Sequence, residues 1–437
     1  RPDADIDAPE AWDITTGSHN ILVGVIDTGI DRSHPDLAPN MWTNPNEIAG
    51  NGIDDDNNGY IDDVHGWDFA NDDNDPFDDK NHGTHCAGTI GASGNTGTGV
   101  VGVCWDVSMV GIKSLSTQGG TTSDAIAAVY YATSIGVDLT SNSWGGAGFS
   151  QSLMDAIEDA ASHDILFIAS AGNSGRDNDQ QLYYPSSYTN DNIISVAATD
   201  HNDQLSVFSG SSASNYGATS VDIAAPGSNI FSCVPGGSFQ YLSGTSMATP
   251  HVAGVAALIK AVAPTMSFIE IKNTILQGAD AIPALSGLCV TGARLNAFNA
   301  VEFAAGPRLV SSVNELSQVS LPGINCADQS FEVWNVGAGL AAYTISDDSA
   351  WLSCSTQVGE SSGEHDTITV SYDTSALSAG IHTAQITVTG NNTTNSPISI
   401  AVTVNISEPA VGANISSIEF SIDHEVNADN SIFNIRN

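Results

Sequence analysis

Positive charge is what this sequence has least of. Its 437 residues carry 10 Lys and Arg against 50 Asp and Glu, a formal net charge of −40 with a pI near 4.1. Phosphate groups are held by Lys and Arg, so the shortage excludes nucleic acid and anionic membrane surfaces as partners. No apolar run reaches the ~18 residues of a membrane-spanning helix. Cysteine is scarce as well. Cys86, Cys104, Cys233, Cys289, Cys326 and Cys354 lie far apart, and none forms a C-x-x-C pair, which argues against a zinc ribbon or a thioredoxin-type site. An even number suits disulfides in an oxidising compartment, and Cys326 with Cys354, both in the later part of the chain, is the expected bond. The chain opens at Arg1 with neither Met nor a charged-then-apolar leader. The expectation is a secreted, mature form from which a signal and a pro-segment have been removed.

What is present is apolar content of 41%, enough for a sizeable core, and a length that favours two domains. Over residues 20–300, short apolar runs at 21–27, 107–115, 138–144, 165–172 and 193–199 alternate with helical stretches at 123–134, 151–162 and 245–262. The alternation predicts an α/β fold for residues 1–305, a parallel sheet with helices on both faces. In such sheets active sites gather outside the carboxyl ends of the strands. The texture changes after Ala305. Residues 306–318, with Pro307 and the start of a Ser-rich stretch, read as a linker or first edge strand. Period-two segments at 330–336, 342–346, 367–372, 383–389 and 398–406 predict an all-β sandwich over 319–406. Trp334 and Trp351 are assigned to its core, and the tail, 407–437, is thinly patterned. Acidity of this order favours strong hydration in salty water and cation binding. The acids are concentrated, with eleven Asp in residues 54–79.

Three segments carry groups suited to acyl transfer. Val25-Ile26-Asp27-Thr28-Gly29 puts an acid at the carboxyl end of a buried strand. His82-Gly83-Thr84-His85 opens a helix of small residues, and Gly244-Thr245-Ser246-Met247-Ala248-Thr249-Pro250 sets a serine at a helix start. A buried Asp accepts the Nδ1 proton of a histidine and fixes its tautomer. The histidine then takes the serine proton and returns it to the leaving amine, while N–H groups at a helix start suit a developing oxyanion. Singly, each residue also reads as a strand-end turn, a helix cap or an N-cap. All three together, in this order, point to catalysis. His34, His85 and His251 are read as structural.

With these segments in order, residues 1–305 resemble a subtilisin-family peptidase (subtilase), whose Asp, His, Ser order they share. Ser143-Trp144-Gly145-Gly146 is similar to the family strand that lies alongside the substrate backbone. Ala171-Gly172-Asn173-Ser174-Gly175 is similar to the segment whose Asn completes the oxyanion hole. The resemblance implies a secreted serine endopeptidase with Asp27, His82 and Ser246 as its triad. It also implies Asn173 as oxyanion donor beside the Ser246 N–H, a donor whose loss costs ~2.7–4 kcal/mol. Protein or peptide substrates, a monomer and a pro-segment cleaved in maturation belong to the same expectation. So does a specificity pocket lined by Ser143, Trp144, Gly145, Ala171, Gly172 and Ser174. These segments hold no acid, so an apolar or aromatic residue before the scissile bond, with broad selectivity, is expected over dibasic processing. The later domain resembles immunoglobulin-like modules appended to bacterial secreted hydrolases.

The acid-rich segment has its own pattern. Residues 54–63, Asp54 to Asp63, place oxygens at alternate positions with Gly59 at the turn, as at the opening of an EF-hand-type loop. Asp54, Asp56, Asn58, the Tyr60 carbonyl and Asp62 or Asp63 are the expected ligands of a structural Ca2+. His65 stands where such a loop carries a bidentate Glu. Tyr60, Ile61, Val64, Trp67 and Phe69 supply apolar anchors that a disordered acidic stretch lacks. The family resemblance implies a further calcium where Asp36 meets the loop containing Asn95, a loop one residue longer here than usual. Two other functions compete. A binding protein with a vestigial peptidase is opposed by the intact triad and Asn173, and a narrow maturation enzyme by the acid-free pocket.

Overall fold

The structure, a computed structural model, describes residues 4–407 apart from Ser211, Ala338, Asn392 and Thr394, and the backbone of 412–413 and 435–436. The remainder of the 407–437 tail lies outside the described residues. The chain divides into two compact units, Arg1–Ala305 and Gly306–Asn437.

The first unit is built on a nine-stranded sheet. Its strands are β1 (Gly17–Asp27), β2 (Gly66–Asp68), β3 (Asp106–Lys113), β4 (Leu139–Asn142), β5 (Leu166–Ser170), β6 (Ile193–Thr199), β7 (Ile223–Pro226), β8 (Asp280–Ala281) and β9 (Ala293–Arg294). Their spatial order is β8-β9-β7-β6-β5-β4-β1-β3-β2, and every neighbouring pair except β8–β9 is parallel. Six helices pack on it: α1 (Gly83–Gly91), α2 (Thr122–Ser134), α3 (Gln151–Ser162), α4 (Thr245–Val262), α5 (Phe268–Gly278) and α6 (Ala297–Ala305). Successive strand residues enter opposite cores. Val23, Val25, Met109, Leu139 and Ile168 pack with α1, α4, α5 and α6, whereas Ile26, Val110, Ile112, Phe167 and Ala169 pack with α2 and α3. This is why the strands read as unbroken apolar runs: both faces are covered.

Local chemistry sets the helix starts. Thr121 and Asp124 form a capping box on α2, and the Ser150 hydroxyl accepts from the Leu153 N–H at the start of α3. Helix α4 is almost wholly buried and contains Pro250. Proline has no N–H to give to the carbonyl four residues back. The Ser246 carbonyl instead accepts from the Ser143 hydroxyl at 2.9 Å and the Cys86 thiol at 3.4 Å.

The second unit is a sandwich of two sheets. Its strands are β10 (Leu309–Ser311), β11 (Glu315–Ser320), β12 (Gln329–Asn335), β13 (Ala341–Asp347), β14 (Leu352–Cys354), β15 (Val358–Ser361), β16 (Asp366–Tyr372), β17 (Gly380–Asn391) and β18 (Ile398–Ile406). One sheet runs β10-β12-β16-β14 and the other β11-β18-β17-β13-β15, with Phe331, Val333, Ile345, Ile368, Val388 and Val402 in the shared core. Of the two readings of 306–318, linker or first edge strand, the structure has the strand: the segment contains β10 and the first part of β11, each at the edge of its sheet, because Leu309 and Leu316 enter the core. Trp334 is not a core residue: with Phe331, Val333 and Asn335 buried, it falls on the outer face, stacked on His365 at 4.1 Å. Trp351 packs against the core only partly buried.

Nor are the cysteines bonded. All six stand as free thiols, Cys326 and Cys354 included. Burial raises the thiol pKa of Cys104 and Cys233 to about 12 and of Cys354 to about 11. The thiolate is the form that attacks a disulfide or binds a metal, so these cysteines behave as small packed hydrophobes.

Candidate active site

The ends of the central strands set the site. In register, Asp27 at the end of β1 lies beside Lys113 of β3, Ile26 beside Asn142 of β4, and Asn142 beside Ala169 of β5. Asp27 is fully buried. Its Oδ1 accepts from the Thr28 N–H at 2.7 Å and is 2.7 Å from Nδ1 of His82, while Oδ2 is buried without a hydrogen-bond partner. A carboxylate on Nδ1 holds the proton there and leaves Nε2 free to act as a base.

His82 owes its position to the start of α1. The Asp78 carboxylate accepts from the Thr28 hydroxyl at 2.8 Å and the Thr84 N–H at 2.9 Å, and the Gly83 N–H donates to the Thr28 hydroxyl at 2.8 Å. The backbone approaches so closely that a Cβ on Gly83 would stand 2.2 Å from the Gly29 carbonyl. Burial disfavours the imidazolium of His82, but the charge and hydrogen bond of Asp27, with Asp78 behind it, outweigh burial and raise its pKa.

Ser246 and His82 line one cleft of about 500 Å3. The serine hydroxyl donates to the Ser143 carbonyl at 3.1 Å, so its bond to the histidine is not formed in this conformation. Catalytic hydrogen bonds commonly tighten only when substrate is bound. Asn173 lies exposed on the same cleft. Its Oδ1 accepts from the N–H of Thr245 at 2.9 Å and from the Thr245 hydroxyl at 3.0 Å. An N–H can donate only to the oxygen of the amide, so Nδ2 is the end presented to the cleft. At Gly244, a Cβ would stand 3.5 Å from that Nδ2 and 3.6 Å from the Ser246 nitrogen. Asn173 Nδ2 and the Ser246 nitrogen thus lie close to one point at the start of α4.

Of the predicted pocket residues, Ser143, Trp144 and Gly145 line the cleft. Ala171 is buried in a core, Gly172 bonds through its N–H to the Thr245 hydroxyl at 3.2 Å, and the Ser174 N–H bonds to Asn215. The sequence reading missed Tyr183, Tyr184, Leu115 and Lys80, which also line the cleft. Their signal is faint, since no acid-base pattern marks them. His34 and His85 spend ring nitrogens on backbone carbonyls of the Ile230–Val234/Ser238–Leu242 hairpin or just beside it, and His251 is bonded to the Met247 carbonyl. Burial lowers the pKa of His85 and of His251 to about 4. His85 and His251 are therefore neutral rings.

The acid-rich loop is tightly organised. Asp54 and Asp56 bring carboxylate oxygens within 4.8 Å of one another and of Glu47, a residue absent from the sequence expectation. Glu47 accepts from the N–H groups of Asp55, Asp56 and Asp62, and so wraps the loop from outside the motif. Asn58 accepts from Tyr60 N–H and donates to Asp63. Asp63 is buried, taking the Tyr131 hydroxyl at 2.6 Å as well as Asn44 and Asn58, and Asp62 turns to the N–H groups of Asn51 and Gly52. Tyr60 packs on Trp67, Phe69 and Tyr131. Asp36 accepts from the Val100 N–H at 2.8 Å, whereas Asn95 is exposed.

Comparison with known proteins gives a consistent result. Residues 18–306 match the Subtilase family. The "Thermophilic serine proteinase" of Bacillus sp. (strain AK1) is 37% identical over 294 residues, 67% of this chain and 64% of that protein. Thermitase of Thermoactinomyces vulgaris is 38% identical over 301 residues, 68% of this chain and 94% of that protein. This chain thus spans slightly under two thirds of the first relative, and 47% of a subtilisin-like protease 1 of Plasmodium vivax. Among solved structures, a protease of Pseudoalteromonas arctica is similar with a TM-score of 0.57 and 30% identity, covering 68% of this chain and 94% of that one.

Proposed function

The chain belongs to the subtilase family, a subtilisin-like serine endopeptidase by class, and on that premise we propose that it is a secreted enzyme cleaving extracellular proteins through an acyl-enzyme. The carrying observation is the 2.7 Å contact between His82 Nδ1 and buried Asp27 in a cleft shared with Ser246. His82 Nε2 takes the Ser246 proton as Oγ attacks the scissile carbonyl, and Asp27 stabilises the imidazolium that forms. Asn173 Nδ2 and the Ser246 N–H hold the oxyanion. The imidazolium gives its proton to the leaving amine, and a water then repeats the sequence to release the acyl group. On the cleft beside Ser246, Ser143, Trp144, Gly145 and Asn173 carry no charge, Lys80 being a cation on the same cleft, which supports an apolar residue before the scissile bond. No helix among the described residues is long and apolar enough to cross a membrane.

A structural Ca2+ belongs to the proposal. Glu47, Asp54 and Asp56 are half-buried carboxylates in a segment, 44–63, without Lys or Arg. Such hard oxygen donors fit Ca2+. The ion would neutralise their mutual repulsion and tie Glu47 to the loop. A second ion where Asp36, whose carboxylate accepts from Val100 N–H, meets the loop containing Asn95 stays part of the proposal on the family membership.

A fluorophosphonate should label one residue, Ser246, with loss of all peptidase activity. Ser246→Ala should fold normally and hydrolyse nothing above background. Undiminished turnover by a pure Ser246→Ala protein would exclude this mechanism.

A further inference from the structure

The slot beside Ser246 is already partly filled by the protein itself. For Oγ to attack, the scissile carbonyl carbon must approach within ~3–3.5 Å, so the side chain before that bond projects close to Ser246. Two backbone segments flank this point as they leave the ends of β4 and β5. One is Ser143–Gly145, whose Ser143 carbonyl is 3.1 Å from the Ser246 hydroxyl; the other begins at Gly172, bonded to Thr245 beside it. The ring of Tyr183 touches both. A Cβ on Gly145 would stand 2.5 Å from Cε1 and 3.0 Å from Cζ of Tyr183, and a Cβ on Gly172 would be 3.1 Å from the same Cε1, against 3.4–4 Å for ordinary contact. A side chain at Gly145 would collide with the ring, and one at Gly172 would crowd it and meet Asn215 Nδ2 at 2.6 Å.

The backbone around Tyr183 is pinned. Gly146 and Tyr184 exchange N–H···O bonds of 2.8 and 2.7 Å, the Tyr183 N–H donates to the Ser187 hydroxyl at 3.1 Å, and its carbonyl accepts from the Ser187 N–H at 2.8 Å. Desolvation raises the pKa of the Tyr183 phenol, as suits a ring held inside a slot.

We propose that Tyr183 sets the size of the residue accepted before the scissile bond, its ring occupying the space between Gly145 and Gly172 so that cleavage follows small side chains such as Ala or Ser rather than Phe or Tyr. This rests on the serine-peptidase reading and narrows it: the aromatic half of the sequence expectation is withdrawn, because the chain's own tyrosine stands where a substrate ring would enter.

The test uses peptides identical except for Ala, Leu or Phe before one scissile bond, with enzyme counted by stoichiometric fluorophosphonate labelling. Wild type should favour Ala over Phe in kcat/KM by about 10- to 100-fold, the scale at which pocket fit discriminates. Tyr183→Gly should raise kcat/KM for the Phe peptide about 10-fold or more and so shift the Ala-to-Phe preference toward Phe. Tyr183→Ala, less demanding of backbone stability, should move the profile the same way. Equal turnover of Ala and Phe peptides by wild type, or an unchanged profile in fully labelled variants, would overturn the proposal. Failure of wild type to be labelled or to cleave any of these peptides would instead sink the peptidase reading.

Discussion

His82 carries opposed demands. As a base it must be neutral, yet Asp27 at 2.7 Å favours its charged form, and that attraction outweighs burial to lift its pKa above the ordinary 6.5. The enzyme works in the unprotonated form, so kcat/KM should fall as pH is lowered, with an apparent midpoint above 6.5. Stability runs the other way. A histidine whose folded pKa is raised adds stability that is fully present below its unfolded pKa and is lost as pH rises through the folded value. The acid limb of kcat/KM, measured on a peptide without ionisable groups, checks the sign; a midpoint at or below 6.5 would mean that Asp27 does not dominate the ring. The three segments of the proposed triad were legible because each is short and recognisable. Tyr183 was not: it meets Gly145 from a distant part of the chain, brought there by the Gly146–Tyr184 pairing and the Ser150–Tyr188 hydrogen bonds.

At the scale of elements, the legible features were those whose cause is local. Apolar runs marked the parallel strands because both faces of the sheet are covered. The acid-rich loop shows where locality ends. Its Asp and Gly spacing pointed to a cation, but the third clustered carboxylate comes from Glu47, upstream of the motif, while Asp63 is spent on Tyr131 and Asn44. Which carboxylates cluster is decided by the fold around Tyr60, not by spacing along the chain. A ligand that binds only the folded form stabilises it by an amount that grows with its concentration relative to Kd. Adding Ca2+ to chelator-treated protein should therefore raise Tm by several degrees, on the scale of ~1–3 kcal/mol. Both Glu47→Gln and Asp56→Ala should blunt the response. A Tm indifferent to Ca2+ and chelator alike would remove the ion from this loop, and a full response in Glu47→Gln would return the ligand set to the motif alone.

Across the whole molecule, charge and chemistry are divided unequally. Residues 1–305 hold 36 acids and 8 bases, a net −28 of the total −40, and every residue assigned to the cleft. The second unit has its own core and its own pair of sheets, which is what an independently folding module requires. A chain ended at Ala305 should therefore keep kcat/KM on a short soluble peptide within about 3-fold of the full chain, since pocket contacts worth a tenfold change or more all lie in the part retained. Losses should appear in stability or in cleavage of bulky, insoluble protein. Salt acts on the shortened chain through repulsion: at ~0.15 M the Debye length is ~8 Å, so net repulsion among 36 acids weakens as salt rises and Tm should climb. Comparing full-length and shortened enzyme on both substrates across a salt series separates these effects. If the shortened chain remains folded, takes up the fluorophosphonate poorly and loses the soluble peptide as well, then the sandwich helps to form the cleft, and the functional boundary at Ala305 is wrong.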